Sequence, residues 1–66
     1  MNEGVLDEQQ VSLESGARKA VATFRRYDIG WEIYLIEEAG QPDTGDSDSL
    51  FPTLDAAVAG ARQMWP

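Results

Sequence analysis

The sequence predicts an α+β fold: a small antiparallel sheet of two to three strands with one C-terminal helix packed on one face, in the order ββ(β)α. Two patterns carry that expectation. Residues 19–38 are rich in β-branched and aromatic side chains on both sides of a Gly-containing break, which is how a hairpin reads. Residues 54–65 repeat apolar side chains at helical spacing behind a threonine, which is how a capped amphipathic helix reads. With 66 residues, the chain is one domain and buries a smaller share of its surface than a larger domain would.

Residues 1–9 are polar and acidic, with only Val5 and Leu6 apolar beyond the initial Met; they read as a flexible arm. Residues 10–66 form the domain. Residues 10–14 alternate through Val11 and Leu13, a short period-two signal, and Ser15-Gly16 reads as a turn. Residues 17–27 carry Val21, Thr23, Phe24 and Tyr27 and read as a strand. Asp28-Ile29-Gly30 reads as a three-residue connection, with Gly30 in the left-handed conformation of a bulge after a type I turn. Residues 31–38 are the second long strand.

That turn places Tyr27 opposite Trp31, Arg25 opposite Ile33 and Thr23 opposite Leu35. One face then gathers Val21, Thr23, Arg25, Tyr27, Trp31, Ile33 and Leu35, of which Trp31, Ile33 and Leu35 are ready for a helix. The other gathers Phe24, Arg26, Glu32, Tyr34 and Ile36, with Arg26 against Glu32. A slip of one residue would regroup both sets.

Residues 39–49, Ala-Gly-Gln-Pro-Asp-Thr-Gly-Asp-Ser-Asp-Ser, read as an acidic loop, and Leu50-Phe51 as a short third strand or edge segment. Thr53 is a good N-cap, and Asp55 in the first turn suits the helix dipole. Leu54, Ala57, Val58, Ala61 and Trp65 make one stripe, with Asp55, Ala59 and Arg62 facing water. The small residues in its middle let the helix lie close to the sheet, and Gly60, which weakens the helix by about 1 kcal/mol relative to alanine, reads as either tolerated or used for close packing.

Composition narrows the chemistry. There is no cysteine and no histidine, and twelve acids face five bases for a formal charge of −7. Disulfides and the common zinc and haem sites are therefore absent, and nucleophilic catalysis lacks its usual base. Adjacent Glu37 and Glu38 point to opposite sides of a strand and do not make an acid–base pair. Asp43, Asp46 and Asp48 lack the ligand spacing of a calcium loop and read as turn-formers. The expectation is no catalytic residue, no cofactor and no metal. A negative balance disfavours nucleic acid and anionic membrane, no apolar run spans a bilayer, and the cysteine-free acidic chain suits the cytoplasm.

Gly30-Trp31-Glu32-Ile33-Tyr34-Leu35, a polar loop, and then residues 51–62 with Thr53, Ala57 and Ala61 spaced four apart resemble the small antitoxin-type HicB domain. The same residues resemble the short uncharacterised bacterial DUF2188 family, with its Phe-x-Thr helix start. The resemblance covers residues 19–65. It implies a sheet-and-helix fold and dimerisation. The Asp-Leu-Pro-Gly turn typical of the antitoxin domain is absent, so the resemblance carries neither a toxin partner nor a repressor role.

The functional expectation is a non-enzymatic protein-interaction module, self-associating as a homodimer or acting as a small subunit or regulator of another protein. Its interface is expected at Phe24, Tyr34 and Ile36, together on the face away from the helix, where three large apolar side chains exceed what a solvated sheet shows. Self-association would also supply the staple that a cysteine-free chain of this size lacks. The alternative is an acidic inhibitor of phage or plasmid type that occupies a nucleic-acid-binding surface on a basic partner. Direct DNA binding through the sheet, using Arg18, Lys19, Arg25 and Arg26, ranks last, because neighbouring strand residues point apart and the chain is negative.

Overall fold

The computed structural model describes residues 4–65. Four strands and one helix follow in order: β1 (Asp7–Ser15), β2 (Arg18–Tyr27), β3 (Gly30–Glu37), β4 (Thr44–Phe51) and α1 (Leu54–Met64). The strands form one antiparallel meander in the order β1-β2-β3-β4, with α1 on one face. The class is α+β as expected, but the sheet has four strands rather than two or three.

Both additional strands lie where the sequence pattern is weak. β1 begins at Asp7, inside the stretch read as an arm; the first three residues of that arm lie outside the described residues. Its pairing with β2 runs without interruption from Asp7↔Arg26 to Ser15↔Arg18. The two-residue turn between them uses Gly16 at φ 62°, the first central position that type II′ geometry reserves for glycine. β4 occupies most of the stretch read as an acidic loop. Its local composition favours turns, but β3 supplies a partner edge and context overrides propensity.

The β2–β3 hairpin corrects the expected register. Its turn holds two residues, and Tyr27 pairs with Gly30, Arg26 with Trp31, Arg25 with Glu32 and Phe24 with Ile33. The register then shifts, and Thr23 pairs with Leu35 and Ala22 with Ile36. Tyr34 is the extra residue of a β-bulge. The expected pairing therefore holds beyond the bulge and fails between it and the turn. Arg26 does not oppose Glu32; Arg25 does.

The two-residue turn and the bulge together decide where the core sits. The turn sets Trp31 and Ile33 on the same face as Ala22 and Phe24, and the bulge brings Ile36 to that face in place of Leu35. That face is richer in apolar area, and α1 covers it. Leu13, Ala20, Ala22, Phe24, Ile33, Ile36, Ala57 and Ala61 are buried together, with Val11, Trp31, Phe51, Leu54, Val58 and Trp65 packed around them. The expected helix stripe is thus the one that meets the sheet, and Asp55, Ala59 and Arg62 are exposed. Thr53 caps the helix by accepting a hydrogen bond from the Ala56 amide at 3.1 Å. A Cβ on Gly60 would lie 2.7 Å from Cζ of Phe51, so this glycine lets the Phe51 ring rest against the helix backbone.

The end of α1 is tied back to the sheet. Arg18 forms a bidentate ion pair with Glu38, at 3.0 Å from Nε and 2.8 Å from Nη2. The Trp65 indole donates to the same carboxylate at 2.9 Å, and the Arg18 guanidinium lies 4.5 Å from the centre of the Trp65 ring. Arg18 first, and Trp65 next, hold the Glu38 carboxyl at about 2, well below its ordinary 4.5.

Candidate interaction surface

The second face of the sheet carries Val21, Thr23, Arg25 and Tyr27 from β2, Glu32, Tyr34 and Leu35 from β3, and Leu50 from β4, as the register requires. Among the described residues no element of secondary structure covers it.

Its centre is ordered by side-chain contacts. Arg25 donates from Nε to Glu8 at 2.9 Å, and its guanidinium lies 3.6 Å from the centre of the Tyr34 ring. That distance is a cation–π contact, which contributes about 0.5–1 kcal/mol at an exposed site. Gln10 reaches the Thr23 hydroxyl at 3.4 Å, and Thr23 is buried although no helix lies over it. The Tyr27 hydroxyl donates to Glu32 at 3.0 Å. Burial, then this hydrogen bond, then the Glu32 charge push the Tyr27 phenol above its ordinary value.

Around that layer, Val21, Tyr34 and Leu50 are exposed at 39%, 41% and 43%. At one end a shallow groove runs between Ser12, Glu14, Lys19, Val21, Glu37 and Ala39. The arrangement offers two tyrosines and an arginine already held in place, with aliphatic side chains beside them. Fixed aromatic and arginine groups of this kind are the usual anchors of protein interfaces.

Of the three residues expected to share this face, only Tyr34 lies on it. Phe24 and Ile36 are in the helix-side core, fully buried or nearly so. The physical reason is the two-residue turn, which sets Trp31 and Ile33 on the face of Phe24, while the bulge at Tyr34 keeps Ile36 there, so that this face is the one α1 covers. Sequence reading missed Val21 and Leu50 as part of the same exposed strip. Val21 was assigned to the helix side, and no signal distinguished Leu50 from a core residue.

Asp43, Asp46 and Asp48 are strung along β4 and the residue before it; Asp46 accepts a hydrogen bond from the Asp48 amide at 3.2 Å. Among the described residues no group of acids is placed to hold a metal ion, and no helix is long and apolar enough to cross a membrane. No protein-family model, no curated protein and no solved structure matches the chain.

Proposed function

We propose that this chain is a non-enzymatic protein-interaction module that docks a protein partner, either a second copy or a larger protein, on the face of the sheet opposite α1. The observation that carries the reading is the exposed strip of Val21, Tyr34 and Leu50 beside an arginine held over the Tyr34 ring. Such a strip presents apolar area at low entropic cost, because Arg25 and Tyr34 are already fixed. The test compares the wild-type chain with Tyr34→Glu and Leu50→Glu, and with Asp55→Asn on the water side of the helix as a control. Binding that the two face variants abolish and the control keeps supports the reading. Binding indifferent to both face variants overturns it.

A second reading rests on charge. From Tyr27 to Ala61 the sequence holds Asp28, Glu32, Glu37, Glu38, Asp43, Asp46, Asp48 and Asp55 and no base. A basic partner whose affinity falls steeply with salt would favour an acidic inhibitor of a nucleic-acid-binding surface; a flat salt response favours docking on the apolar strip.

A further inference from the structure

We infer that β1 is a self-pairing edge, on which two copies of the chain join their sheets through antiparallel β1–β1 pairing centred on Ser12. β1 has one neighbour in the sheet, so half of its backbone groups face outward. Which half follows from the turn. Ser15 and Arg18 flank a two-residue connection and are therefore a hydrogen-bonded pair. Alternation then directs the N–H and C=O of Leu13, Val11 and Gln9 to β2. Those of Glu14, Ser12 and Gln10 point out of the sheet.

Edge strands are ordinarily guarded by bulges, prolines, charges or a covering element. From Gln9 to Leu13 β1 has none of these. The stretch contains no charge and no proline, its register with β2 is unbroken, and α1 rests on β3, β4 and β2. The opposite edge, β4, is guarded: its register with β3 shifts twice, and it carries Asp46 and Asp48.

Charge and polarity then select one register. A two-fold axis normal to the sheet keeps the helix side of both copies together, so residues of like parity must pair. Centring on Val11 sets Glu8 against Glu14 of the second copy, and centring on Gln10 sets Asp7 against Leu13. Centring on Ser12 does neither. It pairs Val11 with Leu13 on the helix side, Gln10 with Glu14 on the other, and Ser12 with itself. Three of the four outward-facing residues of β1, Gln10, Ser12 and Glu14, then gain a partner within the strand, and the two sheets join into one of eight strands. A second copy is the occupant because the edge complements itself in this register; a chain of this size without cysteine also gains from pairing the stability that disulfides would supply.

The test uses the full chain. Sedimentation equilibrium is expected to show a species of twice the monomer mass below about 1 mM. Ser12→Pro removes an outward N–H but none that bonds to β2, a place where an edge strand tolerates proline; Ser12→Lys sets two like charges at the axis. Both are expected to weaken the dimer at least roughly tenfold with circular dichroism unchanged. The register has its own readout. In a chain without cysteine, Ser12→Cys should cross-link on mild oxidation, since hydrogen-bonded partners have Cα atoms about 5.5 Å apart. Gln10→Cys should not, because four residues of strand separate the two copies by about 13 Å. A wild-type chain that stays monomeric to about 1 mM, or a dimer that both Ser12 variants leave intact, overturns the inference. A dimer lost in Tyr34→Glu but kept in Ser12→Pro also overturns it, and moves the contact to the open face.

Discussion

The two edges of this sheet are built on different principles. β1 is regular: nine residues pair with β2 in one register, and its inward side chains Val11 and Leu13 reach the core. β4 is irregular: two register shifts break its pairing with β3, and close backbone approach does much of the holding. A Cβ on Gly45 would lie 2.5 Å from the Tyr34 carbonyl oxygen, and one on Gly30 2.8 Å from that of Phe51. Thus β1 is held by a ladder and buried aliphatic side chains, while β4 is held by missing side chains and by Phe51 against Gly60. An edge of the first kind should suffer most from side-chain deletion, and one of the second kind from side-chain addition.

The largest effect is expected at Leu13. Its side chain is fully buried, so Leu13→Ala should cost about 2–5 kcal/mol. A 66-residue domain has about 3–10 kcal/mol in total, so this variant should lose roughly half of the domain's stability. Leu50→Ala on β4, at 43% exposure, should cost no more than about 1 kcal/mol. Urea denaturation followed by tryptophan fluorescence measures both. Equal costs would erase the contrast between the edges.

The addition side of the contrast is tested at glycines. Gly45→Ala must displace either β4 or the Tyr34 backbone, and overpacking of this kind costs about 1–3 kcal/mol. Gly16→Ala in the β1–β2 turn meets no atom within 4 Å and pays only for its positive φ, roughly 1–2 kcal/mol. The amide shift changes should also differ in extent. Those of Gly45→Ala should spread over β3 and β4, and those of Gly16→Ala should stay in the turn. A Gly45→Ala spectrum confined to its neighbours would show that the close approach is not what holds β4.

The same contrast explains what sequence could and could not reveal. The helix was legible because Thr53, Leu54, Ala57, Val58, Ala61 and Trp65 carry both a cap and a period. β2 and β3 were legible from their β-branched and aromatic content. β4 was not, because Thr-Gly-Asp-Ser-Asp-Ser lacks apolar alternation and becomes a strand only against β3. The hairpin turn was misread by one residue because a positive φ at Gly30 suits both a bulged three-residue connection and a two-residue turn backed by a close neighbour. That one residue moved Trp31 and Ile33 to the face of Phe24 and Ile36, leaving Tyr34 alone of the expected interface. A bulge has no sequence signature when the inserted residue is itself a good strand former, as Tyr34 is.

The smallest expected effect lies where the two halves of the molecule meet. Glu38 follows β3 and receives Arg18, from the start of β2, and Trp65, from the end of α1. Its folded value lies at about 2 against an ordinary 4.5. A carboxyl lowered by folding contributes its full stabilisation above the unfolded value and loses it as pH falls through the folded one. The loss should therefore begin near 4.5 and be complete near 2. Because the ion pair is partly exposed, solvent and salt reduce its effect. Glu38→Gln should be less stable than the wild type at neutral pH, and the difference should shrink steadily through that window. Thermal midpoints of both chains measured from neutral pH downward give the comparison. A gap that persists unchanged to the acid end would mean that Glu38 acts through packing against Trp65, with its charge on Arg18 contributing nothing.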